Sequence, residues 1–136
     1  MLRKNAKLDL LRRVPLFARC SGRELNKIAS VADELDMPAG RHLTREGQPG
    51  REFIVLVEGG AEVRRKGRRL NTLGPGDFLG EIALLADRPR TATVTTNAPS
   101  RLLVLTGRDF RALLRELPAL QGKVLEAFAS RLPGGD

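Results

Sequence analysis

The chain has neither tryptophan nor tyrosine, only five phenylalanines, one cysteine and one histidine. Each scarcity removes a class of function. With so few aromatic rings to stack on bases, the net charge of +8 does not by itself make a nucleic-acid surface, and a small anionic ligand or an acidic partner fits at least as well. The lone Cys20 cannot close an intrachain disulfide, which fits a reducing compartment, and the expected location is cytoplasmic. As a nucleophile Cys20 lacks support, because His42 falls in a separate strand-like segment. A single histidine also argues against a metalloenzyme, whose centres draw on several histidines and a carboxylate; no metal and no catalytic residue are assigned. No apolar run approaches the ~18–20 residues of a membrane span, and Met1-Leu2-Arg3-Lys4 lacks the apolar segment of a signal peptide.

What is present fits one globular domain: 136 residues, 41% hydrophobic, with no long biased tract. Leu8, Leu10 and Leu11 mark a short helix over Ala6 to Arg13, ended by Val14-Pro15-Leu16-Phe17. Ser21-Gly22-Arg23-Glu24 is a capping box ahead of Leu25, Ile28, Ala29 and Ala32, so a second helix is expected from about Gly22 to Asp33. The period then shortens. Strands are expected at Leu35 to Met37, Arg41 to Arg45, Glu52 to Glu58, Ala61 to Lys66 and Arg68 to Leu73, with Gly40, Gly47, Gly50, Gly59 and Gly67 at the reversals. Arg90 to Thr96 and Ser100 to Leu105 add two more. Regular short strands of this kind indicate an antiparallel sandwich or jelly-roll barrel. Thr106-Gly107-Arg108-Asp109 caps a helix with Phe110, Leu113, Leu114 and Leu117 on one face, Pro118 interrupts it, and a last helix runs from about Ala119 to Arg131 before Pro133-Gly134-Gly135. The fold class is thus mainly β, a jelly-roll barrel with N-terminal helices and two C-terminal helices. Its expected parts are an N-terminal helical segment at 1–33, a barrel at 34–106 and C-terminal helices at 107–132. Five cations, Arg64, Arg65, Lys66, Arg68 and Arg69, surround Gly67 at a hairpin tip, either a solvated turn or a docking surface.

The chemistry concentrates in residues 74 to 94. Gly74, Gly76 and Gly80 permit close backbone approaches, and Pro75 stiffens the turn between them. Glu81 to Leu85 can then form one helical turn whose first N–H groups, at about Ile82 and Ala83, face an anion with the helix dipole behind them. Arg90 brings a guanidinium to the mouth of the same turn. Glu81 would repel a phosphate unless it accepts from a hydroxyl. A sugar hydroxyl beside a phosphate meets both demands.

Leu79-Gly80-Glu81-Ile82-Ala83-Leu84-Leu85 followed by Arg90-Thr91-Ala92-Thr93-Val94 resembles the phosphate-binding cassette of the cyclic nucleotide-binding domain family, here spanning 76–94. Pro15-Leu16-Phe17, Pro38-Ala39-Gly40, Arg45-Glu46-Gly47, Phe53 to Gly59 and Leu73 to Asp77 extend the resemblance over about residues 14 to 118. It implies that Glu81 accepts the ribose 2′-hydroxyl and that Arg90 pairs with the cyclic phosphate. The backbone N–H groups of Ile82 and Ala83, with Thr91, would complete the phosphate shell. Leu79 stands where the family most often has phenylalanine, both being apolar plugs. The resemblance further implies that Gly80 and Ala92 belong to the same motif, that Val63 and Leu73 are candidates for an apolar wall against the base, and that Val124, Leu125 or Phe128 of the last helix could reach a purine; Leu120, Val124 and Phe128 read equally well as core or dimer contacts.

The expected function is therefore a cyclic nucleotide sensor, cAMP favoured over cGMP, with no cofactor and no catalysis of its own. Ligand binding would draw the C-terminal helices inward for an effector protein or an attached effector domain, the oligomeric state being unreadable. Thr91 can serve either nucleotide. The alternative is a degenerate domain of the same fold acting as an interaction or dimerisation module; its mark would be loss of the glutamate or the arginine, and both are present. A DNA-binding regulator would need a helix-turn-helix after the barrel, and none is expected before Asp136. In an excised piece of a larger protein, a channel, kinase or transcription factor could flank it.

Overall fold

Two helices and a 3-10 turn precede the strands because the first quarter of the chain carries helical spacing and a strong cap. The computed structural model describes residues 4–131; the expected stop at Pro133-Gly134-Gly135, and the outer domain limits Met1 and Leu132, lie outside them. Helix α1 is Lys4–Arg12, a 3-10 turn covers Pro15–Phe17, and α2 is Gly22–Val31. The capping box forms as expected: the Glu24 N–H donates to the Ser21 hydroxyl at 3.2 Å and the Ser21 N–H donates to the Glu24 carboxylate at 2.8 Å. Helix α2 stops two residues short of the expected Asp33, because Ala32 turns extended with ψ 132° and Asp33 instead pairs opposite Val104.

Eight strands follow, β1 (Asp33–Met37), β2 (His42–Thr44), β3 (Glu52–Glu58), β4 (Ala61–Arg65), β5 (Arg68–Leu73), β6 (Phe78–Leu79), β7 (Thr93–Thr96) and β8 (Ser100–Thr106). The short helix α3 (Glu81–Leu85) lies between β6 and β7, while α4 (Gly107–Glu116) and α5 (Pro118–Arg131) close the described chain. Pairing is antiparallel throughout, in two four-stranded sheets ordered β1-β8-β3-β6 and β2-β7-β4-β5. This is the mainly β jelly-roll barrel with flanking helices.

β3 is buried on both faces, which is why Phe53 to Val57 reads as a continuous apolar run rather than an alternation. Ile54 and Leu56 point into the barrel with Ala61, Leu73, Leu79, Val94, Leu102 and Val104. Phe53, Val55 and Val57 point the other way, joining Leu103 and Leu105 of β8 in a second core with the helices. There Phe53 stacks on Phe110 of α4 at 4.2 Å between ring centroids, a pair worth about 0.5–1.5 kcal/mol beyond its burial. Thr106 caps α4 by accepting from the Asp109 N–H at 3.1 Å. Pro118 occupies the first position of α5, where its missing N–H costs nothing.

Candidate functional site

The site is built where β6, too short to continue, is turned by Gly80 into α3. Gly80 has φ +106°, and a Cβ there would lie 2.5 Å from the Glu52 carbonyl and 2.7 Å from Arg90 Nη1, so only glycine serves both the turn and its neighbours. The first intrahelical bond of α3 runs from the Leu84 N–H to Gly80, which leaves the N–H groups of Ile82 and Ala83 in the first turn, ahead of the helix's own acceptors.

Arg90 reaches this turn from the loop before β7. Its backbone is held from both sides, the Gly47 N–H donating to its carbonyl at 2.9 Å and its own N–H donating to Gln48 at 2.8 Å. These bonds to a loop keep Arg90 out of the ladder, so β7 starts at Thr93 and not at Arg90 as expected. Arg90 is 8% exposed; its Nη2 donates to the Glu52 carbonyl at 2.9 Å, and Nη1 is buried with no hydrogen-bond partner among the described residues. Burial lowers the Arg90 pKa from its ordinary value, while the charges of Glu52 and Glu81 act to raise it. Glu81 itself is 2% exposed.

Around this turn lies a cavity of about 400 Å³, in the range of small-ligand sites. Ten of the residues singled out from the sequence line it: Gly80, Glu81, Ile82 and Ala83 at the turn, Arg90, Thr91 and Ala92 beside it, and the apolar Val63, Leu73 and Leu79. For Val124 of the last helix, the structure matches the core-contact reading. Val124 is fully buried in the helical core, Leu125 is 58% exposed, and neither they nor Phe128 line the cavity; Ser130 does.

Several contributors escaped the sequence reading. Thr44, Leu70, Asn71, Phe78 and Val94 also line the cavity. Arg65 does too, its Nε donating to the Thr91 carbonyl at 2.9 Å, so one member of the hairpin cluster faces the cassette. The signal was available, since Val63 and Arg65 lie two apart on one strand and share a face. Gly50 was read only as a turn residue, yet it packs against the site: a Cβ there would sit 2.5 Å from the Ala83 Cβ and 2.6 Å from Arg90 Nε. At the far end of α3, Arg111 of α4 donates to the Leu84 carbonyl from Nη2 at 3.2 Å, linking the turn to the C-terminal helices.

Fold and cavity together describe a jelly-roll domain whose cavity is lined by Arg65, Glu81 and Arg90 as well as by Val63, Leu73 and Leu79. The family model of the cyclic nucleotide-binding domain matches residues 34–116, more than half of the chain, and the chain belongs to that family. It is 36% identical over 116 residues to a cAMP-dependent protein kinase regulatory subunit of Mycosarcoma maydis, covering 79% of this chain and 22% of that protein. To the cGMP-dependent protein kinase egl-4 of Caenorhabditis briggsae it is 32% identical over 128 residues, covering 89% of this chain and 17% of that one. The chain thus spans less than a quarter of the length of these two relatives. Among solved structures, the catabolite activator protein of Thermus thermophilus superposes with a TM-score of 0.77 at 29% identity, covering 88% of this chain and 58% of that chain. Among the described residues no helix is long and apolar enough to cross a membrane, and no group of three or more His, Cys, Asp or Glu is placed to hold a metal.

Proposed function

We propose that the chain is a cyclic nucleotide sensor without catalysis of its own, cAMP being favoured over cGMP. One observation carries the reading: Arg90 Nη1, a buried cationic donor without a protein partner among the described residues, lies against Gly80 at the start of α3. A buried N–H of a guanidinium is costly unless an acceptor meets it, and an anionic oxygen is the acceptor that a helix N-terminus also favours. Arg90, Thr91 and the N–H groups of Ile82 and Ala83 hold the cyclic phosphate. Glu81 accepts the ribose 2′-hydroxyl. Val63, Leu73 and Leu79 receive the base, with Gly80 and Ala92 giving the backbone room to approach. The chain is similar to a cAMP-dependent regulatory subunit and to a cGMP-dependent kinase alike, so both nucleotides enter the test, cAMP first.

Binding acts on the C-terminal helices through two contacts. Arg111 joins α4 to the end of α3, and Ser130 brings α5 to the cavity wall. A nucleotide that fits the cassette better in one arrangement of α4 and α5 than in another shifts the population towards it; equal affinity for both would shift nothing. In this reading residues 34–106 bind and the flanking helical segments report to an effector protein or an attached effector domain.

The test is a calorimetric titration with cAMP and with cGMP beside Arg90→Ala. Removing Arg90 strands a desolvated phosphate charge, a loss of about 2–5 kcal/mol, which raises Kd ~30-fold or more. Equal binding by Arg90→Ala refutes the phosphate assignment. Silence of the folded parent with both nucleotides favours an interaction module.

A further inference from the structure

We infer that Arg65 is a second cation of the nucleotide site, one that positions Thr91 and balances the charge of the ligand's phosphate. The inference rests on the cyclic nucleotide reading. Among the described residues three charged side chains line the cavity: Arg65, Glu81 and Arg90. Glu81 and Arg90 cancel, so Arg65 leaves the described wall with one net positive charge, equal and opposite to that of a cyclic phosphodiester. Arg90 is moreover already shared. Its Nη2 is spent on the Glu52 carbonyl, and the carboxylates of both Glu52 and Glu81 act on its charge.

Arg65 is placed for this role by the strand. Its Nε donates to the Thr91 carbonyl at 2.9 Å, which holds the guanidinium on the cavity wall next to the cassette. A neutral donor would satisfy that carbonyl equally well. A cation there stands directly across the ladder from Arg68 and beside the cross-strand pair Arg64 and Arg69, an arrangement in which like charges repel. An anion in the cavity offsets that repulsion. The hairpin cluster is accordingly divided: Arg64 pairs with Glu62, Arg65 serves the cavity, and Lys66, Arg68 and Arg69 remain exposed.

The experiment titrates cAMP and cGMP into the parent chain, Arg65→Lys, Arg65→Gln and Arg65→Ala at low and high salt, with thermal melts to establish folding. Arg65→Gln retains a donor for the Thr91 carbonyl and loses only the charge. It should bind roughly fivefold to tenfold more weakly at low salt, the scale of a partly screened charge pair, and with a flatter salt dependence than the parent. Arg65→Lys should stay within about threefold of the parent, since the charge is what matters. If Arg65→Gln matches the parent in affinity and salt dependence, Arg65 is a carbonyl donor only and the inference fails. Should that variant not fold, a tenfold loss in Arg65→Lys overturns the charge role. A parent that binds neither nucleotide overturns the underlying reading, and the inference with it.

Discussion

Replacing Gly50 by alanine tests the packing of the site without touching a residue that meets the ligand. The backbone at Gly50 is outside the left-handed region, so the substitution adds no torsional strain of its own. The cost is steric. The new Cβ would stand 2.5 Å from the Ala83 Cβ and 2.6 Å from Arg90 Nε, against the ~3.5–4.0 Å at which carbon atoms rest. Relief requires about 1 Å of movement by α3, by Arg90 or by both. Overpacking of this order costs about 1–3 kcal/mol of stability. Because the displaced atoms belong to the proposed phosphate cradle, nucleotide affinity should fall at least tenfold. Urea denaturation gives the first quantity and calorimetric titration the second. Gly40→Ala is the control: its φ of +85° makes alanine strained, yet nothing lies within 4 Å of its Cβ, so stability should drop with affinity unchanged. If Gly50→Ala binds cAMP or cGMP as tightly as the parent, the packed position of Arg90 against Gly50 is not the binding position.

Gly122 lies inside α5 with nothing within 4 Å of the place a methyl group would take, so Gly122→Ala should raise stability by about 0.5–1 kcal/mol, read as a higher midpoint in thermal denaturation. The Cys20 thiol is pushed above its ordinary pKa by burial first and by the charge of Glu24 second. The pH midpoint of its alkylation by iodoacetamide should therefore lie higher in the native chain than in the urea-unfolded chain. By the same linkage this group favours folding fully below the unfolded thiol pKa, and its contribution is lost as pH rises through the higher native value. Coincident midpoints would contradict the burial.

The cassette was legible because its chemistry is local. A turn that needs glycine, a helix start that exposes N–H groups and an arginine nine residues after Glu81 follow one another in the chain, and Gly80, Glu81, Ile82, Ala83 and Arg90, read from them, line one cavity; Val63 and Leu73 came from the family resemblance alone. The caps at Ser21 and Thr106 were legible for the same reason, each hydroxyl serving an N–H three residues on. β6 was missed because two residues carry no period; it exists because Ile54 and Val55 offer it a ladder. The end of α2 and the start of β7 were misplaced because pairing with Val104 and bonds to Gly47 and Gln48 decide them.

Residue type and spacing along one turn are enough to propose which groups meet an anion and a sugar. How those groups are held is settled by packing between distant segments. Arg90 is fixed by the carbonyl of Glu52, 38 residues away; Thr91 is fixed by Arg65, 26 residues away; and Gly50 and Ser130 reach the same site from other parts of the chain. A hydrogen bond or a steric limit between such segments leaves no periodicity along the chain to be read. It arises when the two sheets close and bring those segments within contact distance.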